Sequence, residues 1–226
     1  MGDRVNTARK VIYTCITGGY DTLSTPSVKY DDYDYICFTD NPNLNSNVWQ
    51  FRPIPSELLD LDLTRQSKII KICPHKYLSE YDMSIYIDGN INLDFDLKEI
   101  IYPYIDDTHN VYVKRHPVRN CIYDELNVCI RVNKDNKELM QRQVDSYREQ
   151  GFPPKFGLSE NNIIVRFHNS DDCISLMNAW SDEIRNGSKR DQLSFSYCVW
   201  KTNTRIKYFA PDIKLRVTRH IRQNET

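Results

Sequence analysis

Long hydrophobic runs are missing. The longest apolar stretches are about five residues, as in Ile69–Cys73, which Lys71 interrupts. A membrane span needs roughly 20 apolar residues, so none is expected, and Met1–Lys10 lacks the apolar core of a signal peptide. An excess of charge of one sign is missing too. The 30 Lys and Arg stand against 31 Asp and Glu, for a net charge of −1. Bulk electrostatics therefore gives no drive toward nucleic acid or an anionic membrane. Glycine is scarce, 7 residues against 15 tyrosines, which excludes collagen-like and Gly-rich linker architectures. The seven cysteines include no CxxC pair and are odd in number. Five lie inside apolar segments, and they read as small buried hydrophobes in a reducing compartment. No GxGxxG, GxxxxGK, GxSxG or HExxH motif occurs, so the dinucleotide fold, the ATP loop and the commonest hydrolases have no support.

What is present is globular: 40% hydrophobic and 27% charged residues in 226. Strand-like runs alternate with helical spacing. Val11–Thr17, Tyr35–Thr39, Asn47–Arg52, Met83–Ile87, Asn110–Lys114, Asn162–Phe167 and Arg205–Phe209 read as strands. Asp62–Cys73, His75–Tyr81, Leu97–Ile105, Tyr123–Arg131, Lys137–Glu149, Asp171–Arg185 and Asp191–Lys201 read as helices. With no Pro/Gly/Ser linker and no repeat, residues 1–226 form one α/β domain with a mostly parallel, buried sheet. Residues 1–10 and 221–226 are expected to be flexible ends.

Ligands of such sheets bind where strands leave at their carboxyl ends. That selects Thr17–Asp21, Thr39–Asn41, Asp88–Asn90 and His116–Arg119. Asp88-Gly89-Asn90 offers two oxygen ligands to a hard cation, or forms an ordinary β-turn. Thr17-Gly18-Gly19-Tyr20-Asp21 can cradle a nucleotide with backbone N–H groups, or simply join a strand to the next element. Arg65 and Lys68, three apart on one helix, can face one anion, or water. Asp191 opens a helix, where it or Ser188 can also serve as a cap.

Together the runs VIYTCITGGYD, YDYICFTDNP, TRQSKIIKICPHKYLSEYDMSIYIDGNINL, KRHPVRNCIYDE, QVDSYREQGFPPKFGLSENNIIVRFHN and RDQLSFSYCVWK resemble the glycosyltransferase-like family of the plant TOD1 and MUCI70 proteins, once a domain of unknown function. The resemblance covers residues 11 to 201 in one order. It implies a GT-A (Rossmann-like) domain with a mostly parallel mixed central sheet flanked by helices. It also implies a nucleotide-sugar donor with Mn²⁺ or Mg²⁺ at a DxD motif, which reads Asp88-Gly89-Asn90 in this chain. His220 is then the positional candidate for a third metal ligand.

By the same resemblance Thr14, Thr17, Tyr20 and Asp40 become candidates for the nucleoside, and Arg65 and Lys68 for the diphosphate. His116, Arg119 and Gln192 would lie near the donor sugar or acceptor, and Asp191 and Glu160 are the candidate catalytic acids. The implied activity is transfer of a hexose or deoxyhexose, with retention, from a UDP-sugar to a glycan or glycoprotein. The alternative is a catalytically silent nucleotide-sugar or glycan-binding module. The Lys/Asn/Ile/Tyr-heavy composition suggests an AT-rich genome and the cytoplasm of a bacterium or of a virus-infected cell.

Overall fold

The structure is a computed structural model that describes residues 3–209. Seven strands form one sheet in the order β3-β2-β1-β4-β6-β5-β7. They are β1 (Lys10–Ile16), β2 (Tyr33–Thr39), β3 (Gln50–Pro53), β4 (Met83–Ile87), β5 (Val111–Arg115), β6 (Ser159–Arg166) and β7 (Ile206–Phe209). All neighbours run parallel except those of β6, which is antiparallel to both β4 and β5. Every residue of β1 and β4 is buried, because helices and loops cover both faces of the sheet. This accounts for their continuous apolar runs.

Helices α2 (Leu63–Ile72), α5 (Ile122–Arg131), α6 (Lys137–Glu149), α7 (Asp171–Asn186) and α8 (Asp191–Thr202) pack on one face around Tyr13, Leu126, Met177 and Trp180. The other face buries Ile12, Trp49, Ile85 and Val165 beneath α1 (Asp3–Thr7) and α4 (Leu97–Ile101). A one-turn helix, α3 (Pro74–Tyr77), follows α2, and Pro74 starts it at a position where a missing N–H costs nothing. All seven cysteines are buried and free. Among the described residues no helix is long and apolar enough to cross a membrane.

Several boundaries differ from the sequence reading. The helix expected to reach Ile105 ends at Ile101 and tightens into a 3₁₀ turn, Tyr102–Tyr104, where Pro103 cannot donate to a continuing helix. The strand expected from Asn162 starts at Ser159, so Glu160 lies within β6 and not ahead of it. Val5 of α1 is buried, and the Arg4 guanidinium stacks 3.5 Å from the centre of the Phe167 ring.

Candidate active site

The carboxyl ends of β1, β2, β4 and β5 and the amino end of β6 meet at one pole of the sheet. After β1 the chain turns through Gly18 and Gly19, both at φ near +60°, where only glycine is unstrained. A Cβ on Gly18 would stand 2.8 Å from Leu63 Cδ1. The turn is pinned from two sides. Thr17 Oγ1 donates to Leu63 O (2.8 Å), and Gly18 N donates to both oxygens of Asp40 (3.0 and 2.9 Å). Tyr20 stays half exposed beside it. Thr14 is buried on β1, and its hydroxyl has no hydrogen-bond partner among the described residues. It lines a narrow cleft with Leu23, Trp49, Asp88 and Gly89. Gly89 is needed there, since a Cβ would meet Ile16 Cγ1 at 2.9 Å and Asp21 at 3.1 Å.

At the centre lies an ion-pair relay. Lys71 Nζ bridges Asp88 Oδ1 (3.1 Å) and Asp191 Oδ2 (2.8 Å), and Lys68 Nζ reaches the same Asp191 oxygen at 3.2 Å. Tyr86 also donates to Asp88 Oδ1, at 3.0 Å. Lys71 is 1% exposed and Asp191 2%. Burial opposes charge on Asp191, but Lys68, Lys71 and Arg190 outweigh it and hold the carboxyl well below the ordinary range. Burial pulls the Lys68 ammonium down, Asp191 resists this, and the Lys71 charge reinforces it. For Lys71 the two acids prevail over burial, and its ammonium is raised.

Asp191 does not cap its helix. The position before it is Arg190, and α8 has no side-chain cap, so the carboxylate turns to the two lysines of α2. That helix is aimed by its own contacts. Asp62 accepts from Arg65 N at its start (3.1 Å). At its end the buried Arg166 donates to Ile72 O (3.2 Å) and to Tyr13 Oη, whose hydroxyl donates to Lys71 O (2.7 Å).

On the β5 side, the buried Glu125 pairs with Arg119 Nε (2.6 Å) and Arg190 Nη2 (3.5 Å). His116 Nδ1 accepts from Arg119 N (2.9 Å), and burial and Arg119 together lower the ring's pKa. Glu160 pairs with Lys114 at 2.5 Å. Gln192 donates from Nε2 to Ser159 O (3.0 Å) and accepts from Arg190, tying α8 to β6.

The profile of the TOD1/MUCI70, glycosyltransferase-like domain matches residues 2–221. The chain belongs to that family. No curated protein sequence matches it. Among solved structures, the bifunctional glycosyltransferase WbbM is similar over 90% of this chain, with a TM-score of 0.52 and 9% identity. This chain spans 39% of that one's length. Mouse xyloside xylosyltransferase 1 is similar over 89% of this chain and 84% of its own, with a TM-score of 0.50 and 10% identity. At such identities the likeness shows the fold, a GT-A-like arrangement of mixed sheet and flanking helices.

In this TOD1/MUCI70 domain the relay joins Lys68, Asp88 and Asp191 of the sequence-selected residues. Asp40, just after β2, holds the turn that Thr17 opens after β1 through Gly18 N, and His116 and Arg119 share the loop after β5. Arg65 departs from expectation. Its guanidinium donates to Ile184 O (3.0 Å) and Gly187 O (2.6 Å) and pairs with Asp62 (2.6 Å), so it holds the end of α7 and does not share an anion with Lys68. His220 lies outside the described residues.

No site role follows from the sequence for Lys71, Glu125 or Arg190, although Arg190 heads the distinctive run Arg190-Asp191-Gln192. For Lys71 a signal existed, a lone lysine interrupting the apolar run Ile69–Cys73 one helical turn beyond Lys68. A roomier hollow than the narrow cleft at Thr14, beside Arg4, Asp82 and Phe167, lies at the opposite pole, where β1 and β4 begin. It brings together none of these charges.

Proposed function

We propose that this domain transfers a hexose or deoxyhexose, with retention, from a UDP-sugar to a hydroxyl of a glycan or glycoprotein. The observation that carries the reading is the Lys68–Asp191–Lys71–Asp88 relay, built on the buried Lys71 and Asp191, at the carboxyl pole of a GT-A-like sheet. In this reading the nucleoside lies over β1 and β2, against Thr14, Thr17, Tyr20 and Asp40, and the diphosphate meets Lys68 and Lys71. Asp191 stabilises the positive charge that grows on the anomeric carbon as its bond to the diphosphate oxygen breaks. The electron pair leaves with UDP, the acceptor oxygen enters on the same face, and its proton passes to the departing phosphate. Glu160 is the base to which an inverted product would point.

Asp88 and Asn90 suit Mn²⁺ or Mg²⁺ in kind, since both offer oxygen. One Asp88 oxygen already accepts from Lys71 and Tyr86, so the other is left for a cation. Among the described residues no three His, Cys, Asp or Glu gather as a metal cluster, and the remaining ligands would be phosphate oxygens and water. A divalent cation held there would offset the charge of the leaving diphosphate.

Thermal shift with UDP, GDP and CMP, each with and without Mn²⁺, tests this. UDP with Mn²⁺ should raise Tm most, corresponding to ~2.7 kcal/mol at a hundredfold excess over Kd. Asp88→Ala should remove the Mn²⁺-dependent part while the protein stays folded. The amide of Asn90, standing where the motif has a second acid, favours the silent binding module as the rival. A bound nucleotide with no turnover on any UDP-sugar would establish it.

A further inference from the structure

Arg166 is the one buried charge without an acid beside it among the described residues. The other buried charged side chains, Lys10, Lys71, Lys114, Glu125 and Asp191, each stand in an ion pair. A guanidinium stays charged inside a protein, and a buried charge without a counter-ion is strongly unfavourable. What meets this one is neutral. Nη1 donates to Ile72 O (3.2 Å) and lies 3.3 Å from Met177 Sδ, and Nη2 donates to Tyr13 Oη. Nε has no hydrogen-bond partner among the described residues. An apolar side chain would fill the same core at less cost.

These bonds lead to the relay. Lys71 and Ile72 end α2, where carbonyls lack partners within the helix, and the guanidinium stands at the negative end of the helix dipole. The Lys71 carbonyl can only accept, so the Tyr13 hydroxyl donates to it (2.7 Å) and accepts from Arg166. A hydroxyl polarised by a cation donates more strongly. The Tyr13 ring also packs on Tyr86, with centroids 5.2 Å apart and the planes near perpendicular, and Tyr86 donates to Asp88 Oδ1 (3.0 Å). Tyr13 thus touches both arms of the relay. Arg166 is the last residue of β6, toward the opposite pole, so it acts through Tyr13 and the end of α2.

We infer that Arg166 is a positioning residue for the diphosphate, which it serves by fixing, through Tyr13 and α2, where Lys71 presents its ammonium. This rests on the transferase reading and deepens it. Lys71 has a long flexible stem and bridges two acids. With its carbonyl and helix end held, the ammonium keeps its place when a diphosphate adds further negative charge. With that end loose, Lys71 would follow either acid, and the diphosphate would lose a charge-assisted bond.

Calorimetry of the whole chain with UDP and with uridine reads the ratio of the two affinities, and urea unfolding of the same samples reads stability. Arg166→Met removes the charge and keeps the core filled. The ratio should fall about tenfold, as for one misplaced charge-assisted bond. Tyr13→Phe deletes a single hydroxyl and should lower the ratio by a similar factor. Arg166→Lys keeps a cation and its donors and should retain most of the ratio. Because both residues act along one line, Arg166→Met combined with Tyr13→Phe should lose no more than the larger single loss.

A ratio unchanged in Tyr13→Phe, whatever happens to stability, overturns the inference, and this variant decides the matter should Arg166→Met fail to fold. Losses that add in the double variant overturn it as well, as does an Arg166→Lys no better than Arg166→Met. Wild type without preference for UDP over uridine sinks the transferase reading and this inference with it. A preference that every variant keeps sinks this inference alone.

Discussion

Asp191 stands against three cations, Lys68, Lys71 and Arg190, in a setting almost closed to water. Lys71 has Asp88 as a second partner, whereas Lys68 has only Asp191 within ion-pair distance among the described residues. An incoming diphosphate would supply the charge that Lys68 lacks. Lys68→Ala should therefore weaken UDP far more than uridine, by ~1–3 kcal/mol as for a charge-assisted bond, read by calorimetry. Equal weakening of uridine would move Lys68 off the diphosphate. Asp191→Asn should act twice. Removing one partner of a buried ion pair costs roughly 3–5 kcal/mol, so Tm falls, and bound UDP should restore part of it by facing the two lysines. Turnover should fall by orders of magnitude with UDP affinity kept. A variant with lowered Tm but full turnover would make Asp191 a structural counter-ion only.

Helix α2 aims the relay, and its two ends are held by different neighbours. At the start, Arg65 ties it to the carbonyls of Ile184 and Gly187 at the end of α7. At the end, Arg166 and Tyr13 take the carbonyls of Ile72 and Lys71. The spacing of Leu63, Ile69, Ile70 and Cys73 marks an apolar face on α2, and of these the last three are buried while Leu63 stays exposed at the helix start. Which lysine or arginine shares an anion was not legible. Arg65–Lys68 and Lys68–Lys71 have the same spacing, and the choice is made by a carbonyl 119 residues from Arg65. Arg65→Met should lower unfolding free energy by about 1–3 kcal/mol, the cost of leaving buried acceptors without donors, and leave the ratio of UDP to uridine affinity unchanged. Urea titration and calorimetry check both parts. A selective loss of UDP would return Arg65 to the diphosphate.

Over the whole molecule, the parallel strands were readable because burial on both faces makes their runs continuously apolar. The sequence carries no mark of strand direction. β6 therefore read as a strand, and its reversal, which brings Glu160 and Ser159 to the active pole, came only from pairing with β4 and β5. Just past β6, His168 locks the opposite pole. Its Nε2 sits 3.0 Å from Leu78 O and its Nδ1 3.0 Å from Ser84 Oγ. The carbonyl can only accept, so the proton is on Nε2, and Nδ1 accepts from the serine hydroxyl. Burial holds this ring neutral and pushes its pKa from 6.5 down to about 4. As pH falls below 6.5 the unfolded chain takes the proton first, so stability falls with pH until the folded ring titrates near 4. The full loss is roughly 3 kcal/mol, at about 1.36 kcal/mol for each pH unit separating the two values. His75 and His116 are displaced in the same direction, so wild-type curves alone do not isolate this ring. His168→Gln keeps an amide donor and an acceptor but does not titrate. Urea unfolding at several pH values between about 7.5 and 4.5 should show wild type ahead of the variant at the top of the range. The gap should narrow steadily below 6.5. A gap that stays constant to the acid end would mean that His168 is protonated in the fold as readily as in the unfolded chain.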